Sequence, residues 1–564
     1  MKIGIYLGYR PSTHLSLINE GLGRYLAKLV KVLEESGNTI VIACPRWLVG
    51  ALEELLEEYN LSLEYINLVV PRKEPIIWRF IVRREKKKKK YRIGLKIKLF
   101  YASYDFIEKM LTFSVKIKSM AVTILMLLLF SGIGILLLPF VLIFLVLKGA
   151  YKLVKLFFRV FRIDLSSVET MKISIKSNLF LFRYLEKIKQ IANGRKLSQE
   201  LAERIRMDAC RQMIDRIKHM KDKPDIWFCP MAFWSEFNEI DGVTVTCFPD
   251  LTPAFFPIGF GQMNMTSAVQ SIRKTVKEGS YFITYCDYQK DQVLSNVLGK
   301  EKRNIRAIPL FVNETYPDIK LVQGYEMYTK EDPTKKFARQ VLSTLFVNTA
   351  PDIALYLQGA IRPMSYKDIK YIFYSSQCRP NKNVLTLIKA YEYLLREKEV
   401  SLKLILTGSF DHIPEIRTYV YENRLQYDVL SFYHVNNQQL AALYACAELV
   451  VNPTLYEGGF LMIFSEGMSV GTPSVMSRIP QVVEITDQYD LEECLFDPYN
   501  YKDMAEKILY GIENRELLIE KQQPLYNKLS NRTKEGAAKE YMDAFQYFIQ
   551  LDREEKRQRN GNER

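Results

Sequence analysis

The sequence predicts an α/β protein of two halves, with an apolar segment inserted in the first. Three observations carry this. Short apolar runs closed by turn signals alternate with amphipathic helical stretches at both ends of the chain. At 564 residues the chain exceeds what one core serves, so two or more domains are expected. Ala121 to Leu147 is a run of 27 residues without a charge, with basic stretches on both sides.

The first half begins with a buried strand at Lys2 to Leu7 and a loop holding Gly8, His14, Gly21 and Gly23. A helix from Arg24 to Ser36 follows, stopped by Gly37, and then the strand Thr39 to Ala43. This is the start of a Rossmann-like half. The N-terminal apolar run is too short for a signal peptide. His14, a loop histidine, suits either solvent or a contact to a bound ligand.

From Arg83 the composition changes. Arg83 to Lys118 carries thirteen Lys/Arg against three acids, including the unbroken run Lys86 to Lys90. Lys148 to Arg162 adds five Lys/Arg and no acid. These flanks together account for the whole net charge of +15. The remainder is near neutral, which argues against a nucleic-acid binder with basic folded faces.

As one helix the apolar run would measure ~40 Å, against a hydrocarbon core of ~30 Å. A single span would leave strands of one half on opposite sides of the membrane, and two spans need about 40 apolar residues. A hairpin entering and leaving the cytoplasmic leaflet, turning at Gly132 and Gly134, meets both limits. A true span and a buried core hairpin remain alternatives. Lys148, Lys152, Lys155, Arg159 and Arg162 share one helical face, as in an in-plane helix on anionic lipid.

Met171 to Lys221 reads as helical and charged. The first half then resumes with strands at Asp225 to Phe228, Val243 to Phe248, Phe282 to Tyr285 and Ile305 to Pro309, and a helix containing Gln292 to Leu298. A connector with a helix covers about Thr329 to Met364. The second half opens with the strand Tyr371 to Tyr374. Arg379 and Lys382 sit in the loop before the helix Val384 to Leu395, where two cations would face a phosphate well. Strands at Lys403 to Leu406, ended by Gly408, and at Val429 to Phe432 follow. His434 is given no catalytic role.

The stretch Val450 to Pro480 organises the rest. An apolar strand ends at Asn452-Pro453, and a loop holds Glu457, Gly458 and Gly459. An apolar helix from Leu461 to Val470 carries Glu466 and stops at Gly471-Thr472-Pro473. A strand, Gly-rich loop, helix and strand in this order place backbone N–H groups where phosphates and sugar hydroxyls are held. An ordinary loop with a capping glutamate is the plain alternative.

This stretch resembles the nucleotide-sugar site of retaining glycosyltransferases of the GT-B fold, family 4 in particular. Glu457, Gly458, Gly459, Phe460, Glu466, Gly471, Thr472 and Pro473 stand in the places of that family's signature. Eight residues, Gly458 to Ser465, separate the two glutamates, where the family has seven. The RPNKN run with Arg379 and Lys382 is similar to the family's diphosphate-binding loop, and Gly21 and Gly23 match its first Gly-rich segment. Asp250 stands in the aspartate place of a His-Asp pair, with Pro249 where the histidine would be. A turn-forming aspartate is the alternative.

The resemblance implies two Rossmann-like domains with a cleft between them. It implies catalytic roles for Glu457, Arg379, Lys382 and Asp250. Donor contacts fall to Gly458, Gly459, Phe460, Glu466, Gly408, Gly21 and Gly23, with Glu457 on sugar hydroxyls and Glu466 on the ribose. No metal and no cofactor beyond the nucleotide-sugar donor is expected. The partners implied are the donor, an anionic membrane surface at the cytoplasmic face and a lipid-linked or glycan acceptor, with no nucleic acid. A sugar-nucleotide epimerase and a non-catalytic scaffold subunit are the competing readings.

The domain layout that follows is 1–82 and 166–350 for the first domain, 83–165 for the membrane-associated insertion and 351–535 for the nucleotide-sugar domain. A C-terminal helix at 536–551 returns to the first domain, and 552–564 is a disordered tail. Eight cysteines without a Cys-x-x-Cys pair, and four scattered histidines, argue against zinc and against a disulfide framework, and suit a reducing compartment.

Overall fold

The computed structural model describes residues 1–12, 15–18, 21–62, 66–75, 78, 199–256, 265–310, 333–349, 369–411, 413–432, 435–532 and 534–562. The basic and apolar insertion expected at 83–165, His14 and His434 lie outside the described residues. The chain divides into two compact units. One comprises Met1–Ile5, Tyr25–Ile40 and Pro224–Arg564, the other Tyr6–Arg24 and Val41–Lys223. The boundary expected at residue 350 therefore falls inside the first unit.

The apolar runs become short parallel strands. They are β1 Lys2–Tyr6, β2 Thr39–Ala43, β3 Asn67–Val69, β4 Ile226–Cys229, β5 Thr244–Cys247, β6 Tyr281–Thr284 and β7 Ile305–Ala307. In the second half they are β8 Tyr371–Tyr374, β9 Lys403–Leu406, β10 Val429–Ser431, β11 Leu449–Asn452, β12 Ser474–Ser477 and β13 Leu495–Phe496. Most ends fall within a residue or two of the expected ones. The strand β3 and the helix Val49–Glu58 were not anticipated.

In the first unit β1 pairs with β4, and β4, β5, β6 and β7 follow in order, all parallel. A second, six-stranded parallel sheet runs β10-β9-β8-β11-β12-β13. In the other unit β2 pairs with β3 in parallel, with Ile42 opposite Leu68.

The second sheet is buried on both faces, and its side chains divide with the period of two that a strand imposes. Ile372, Tyr374, Leu404, Leu406, Leu449 and Val451 pack into one core. Tyr371, Phe373, Ile405 and Val450 pack into the other. The helix Val384–Arg396 buries Val384, Leu387, Ile388, Tyr391 and Leu394 on a single face. Truncating one such leucine to alanine costs about 2–5 kcal/mol.

The last helix, Lys534–Asn562, lays Tyr541, Phe545 and Phe548 against strands of the first sheet. Phe228 sits 6.1 and 5.8 Å from the Tyr541 and Phe545 rings, and Tyr281 stacks on Phe548 at 5.1 Å. The helix continues to Asn562, so the described part of the tail at 552–564 is helical where disorder was expected. Lys556 pairs with Asp552 at 2.7 Å, and Glu555 reaches Arg303 at 3.3 Å. These charges give the polar tail partners one turn away and on the sheet's own loops.

Candidate functional site

The order β10-β9-β8-β11-β12-β13 reverses between β8 and β11. Ligands of open parallel sheets sit outside the carboxyl ends of the strands at such a reversal. The loop after β8 carries Arg379 and Lys382, and the loop after β11 carries Thr454 to Gly459. Strand order thus brings two motifs that lie 75 residues apart to one place.

The β8 loop turns through a single tight helical turn, Pro380–Lys382. It enters the next helix at Asn383, whose φ of 54° a short amide side chain tolerates. Lys382 Nζ donates to Glu457 Oε1, with side chains 18% and 24% exposed. The Thr454 hydroxyl lies 2.7 Å from the same carboxylate oxygen. It is also 3.0 Å from the Asn381 carbonyl and 3.3 Å from the Tyr456 carbonyl. With one proton to give, it favours the charged acceptor. Asn381 Nδ2 donates to the Tyr456 carbonyl at 3.2 Å, and the Leu455 amide to the Asn381 carbonyl at 2.7 Å. The two loops are joined along their length.

The carbonyl of Glu457 accepts two side-chain amides, Gln289 Nε2 at 3.2 Å and Gln481 Nε2 at 2.8 Å. The Tyr456 hydroxyl accepts from Gln289 Nε2 at 2.7 Å and from the Leu251 amide at 3.2 Å. Glu484 accepts the amides of Asp287 and Tyr288 at 2.9 and 2.8 Å.

Two glycines are required by close approach. A Cβ on Gly458 would lie 2.2 Å from the Pro249 carbonyl oxygen, and one on Gly459 would lie 2.9 Å from Tyr285 Cβ. The same contact sets Asp250 beside the loop, 3.4 Å from that Gly458 position. Burial pushes the Asp250 carboxyl above its ordinary range. The Thr252 amide, which it accepts at 2.9 Å, opposes this, the Glu457 charge adds to it and Lys382 offsets it. Asp250, Lys382 and Glu457 therefore share one electrostatic neighbourhood.

The other expected site residues are placed as follows. Glu466 accepts the Tyr444 hydroxyl at 2.6 Å from the helix Met462–Ser469. Arg379 is tied to Gln377 Oε1 at 2.6 Å on the exposed rim. Gly408 packs on the loop after β8, where a Cβ would come within 2.4 Å of the Ser376 carbonyl. The Phe460 ring packs edge-on against Phe464 at 5.4 Å and joins the core, so its side chain serves packing. Gly21 and Gly23 open the helix Gly21–Glu35, and a Cβ on Gly23 would strike the Leu17 carbonyl at 2.0 Å. Gly471, at φ 77°, ends the helix of Glu466, and the Thr472 hydroxyl donates to the Tyr444 carbonyl at 2.7 Å. The Gly-Thr-Pro run is thus structural.

Sequence reasoning missed Thr454, Tyr456, Asn381, Gln289, Gln481 and Glu484. The first three lie inside motifs already singled out. The last three are single polar residues in helices and carry no local signal.

A doubly wound sheet with cations and a Gly-rich loop at its reversal point is the arrangement on which open α/β sheets hold phosphate-bearing ligands. Residues 362–536 match the family model described as Glycosyl transferases group 1, so the resemblance read from the sequence holds for this segment. O-antigen chain mannosyltransferase B of Escherichia coli is 28% identical over 145 residues, 26% of this chain and 37% of that protein. An uncharacterized glycosyltransferase of Methanocaldococcus jannaschii is 34% identical over 106 residues, 18% of this chain and 27% of that protein. The matched part thus spans about a third of the length of these curated relatives. Among solved structures, a glycosyltransferase from Rickettsia africae aligns with a TM-score of 0.47 and 12% identity over 97% of this chain and 98% of that one.

Among the described residues no helix is long and apolar enough to cross a membrane.

Proposed function

We propose that this protein is a retaining glycosyltransferase that moves a sugar from a nucleotide-sugar donor to a lipid-linked or glycan acceptor. The observation that carries the reading is the Lys382–Glu457 pair, joined by Thr454, at the reversal point of the second sheet. Cations there oppose the charge that grows on the departing diphosphate, where fixed groups lower a barrier most. Arg379 and Lys382 supply it, and the amides of Gly458, Gly459 and Phe460 add to it. Glu457 holds sugar hydroxyls, Glu466 the ribose, and Asp250 faces the acceptor side.

The bond from C1 of the sugar to the diphosphate oxygen breaks, and the acceptor oxygen forms its bond to C1 on the same face. The acceptor's hydroxyl proton leaves to the departing diphosphate oxygen. These groups do the work without a metal. The mannosyltransferase relative makes a mannosyl nucleotide the first donor to try. The charge-free run Ala121 to Leu147 and its basic flanks favour an acceptor carried in the membrane, with the protein held at the cytoplasmic face.

The test is nucleotide release from UDP-, GDP-, ADP- and dTDP-sugars, with and without a membrane lipid extract. Release from one donor that rises with the extract is expected. Tight binding of one nucleotide without release from any donor would overturn transfer.

A further inference from the structure

We infer that Gln289 is a positioning residue that makes the placement of Glu457 conditional on docking of the segment Tyr285–Gln289. This rests on reading Glu457 as the carboxylate that holds the donor sugar. The segment follows β6 of the first sheet, whereas the loop Tyr456–Gly459 follows β11 of the second.

Five consecutive residues meet that loop or its neighbour. Tyr285 closes on Gly459, and the Cys286 thiol lies 3.6 Å from the Gly458 carbonyl. The amides of Asp287 and Tyr288 are taken by Glu484. Gln289 gives its two N–H groups to the Tyr456 hydroxyl and the Glu457 carbonyl.

Gln289 is fully buried, and its Oε1 has no partner among the described residues. A buried, unpaired carbonyl oxygen is a desolvation cost that a leucine would avoid. What the carboxamide adds is the pair of N–H bonds. Gln289 also opens a wide π-type helix, Gln289–Val297, a rare winding that recurs at functional sites.

Gln481 holds the same carbonyl, but from the helix Pro480–Thr486 of the second sheet's own half. Its bond persists whether or not the segment docks. The Gln289 bonds exist only when it does. Undocking takes one donor from the Tyr456 hydroxyl, which keeps the Leu251 amide, and frees one side of the Glu457 peptide, so the carboxylate is set for the sugar only in the docked state.

The experiment uses the full chain with Gln289→Leu and Glu484→Gln. Amide hydrogen exchange is followed over 454–461, UDP and GDP binding by calorimetry, and nucleotide release with GDP-mannose and UDP-glucose. Gln289→Leu is expected to speed exchange over 454–461 about tenfold. The rate of release at saturating donor should fall about tenfold, with KM and nucleotide affinity held within about twofold. Glu484→Gln should move each readout the same way by less.

Unchanged exchange in both variants overturns the proposal. So does parallel loss of nucleotide affinity, rate and melting temperature, which marks a merely structural glutamine. If Gln289→Leu does not fold, the exchange of Glu484→Gln decides. If the wild type releases nucleotide from no donor, the proposed activity fails while the exchange result still decides the docking.

Discussion

Lys382 Nζ donates to Glu457 Oε1, so the cation of the loop after β8 and the carboxylate of the loop after β11 form one ion pair at the sheet's reversal point. Each is the other's charged partner, and Thr454 holds the carboxylate from a second side. Under the proposed function, a diphosphate arriving beside Lys382 would compete for the ammonium. Glu457, still held by Thr454, would then be released toward sugar hydroxyls, making diphosphate binding and sugar orientation one event.

This coupling separates two substitutions. Lys382→Met should weaken UDP or GDP binding by roughly tenfold or more, as loss of a charged hydrogen bond does. Glu457→Gln should leave nucleotide affinity within about threefold while transfer falls about 100-fold. Calorimetry beside initial rates checks both. Equal losses of nucleotide affinity in the two variants would show that the carboxylate serves only to hold the lysine.

Gly458→Ala would put a methyl 2.2 Å from the Pro249 carbonyl oxygen, a backbone atom that cannot swing aside. The loop and the segment at Pro249-Asp250 must then part. A destabilisation of about 1–3 kcal/mol is expected, with transfer lost by more than the stability change explains. Denaturant melts and rates on the same preparation read the two effects apart.

Asp250 gives a pH signature. Burial raises its carboxyl, so between the ordinary carboxylate pKa and the raised one the folded chain binds more protons than the unfolded chain. Its contribution to stability therefore falls as pH rises through that window and stays lower above it. Asp250→Asn keeps an oxygen for the Thr252 amide and removes the charge. It should melt higher than wild type at about pH 8, with the gain shrinking toward about pH 4. Melts across that range check the sign, and a transfer rate lowered about tenfold would mark the acceptor role.

Tyr456→Phe removes the hydroxyl that accepts from Leu251 and Gln289, leaving the Leu251 amide and one of the two Gln289 N–H groups buried without that acceptor while the other stays on the Glu457 carbonyl. The expected loss is about 1–3 kcal/mol, read by chemical denaturation. A variant as stable as wild type would show that the two donors find other acceptors.

The strands and the paired motifs were legible because each is written locally. An apolar run closed by Asn-Pro marks β11, one opened by Gly-Thr-Pro marks β12, and the αL glycine Gly471 marks where the helix of Glu466 must stop. Glu457 stood out because two glycines follow it. The C-terminal helix was legible as a pattern but not in length, because Lys556–Asp552 and Arg303–Glu555 pairs extend it through a tail that reads as merely polar.

What the sequence determined by itself is therefore the α/β class, the strands of the second half and the identity of its two loops. Their physical basis is short-range, in side-chain periodicity and backbone preference. Only the tertiary structure decided that Lys382 binds Glu457, that Gly458 must lie against Pro249, and that Gln289 and Gln481 meet on one carbonyl oxygen. Those are relations between residues far apart in the chain. They are set by the order in which parallel strands pair, which no local run of residues encodes.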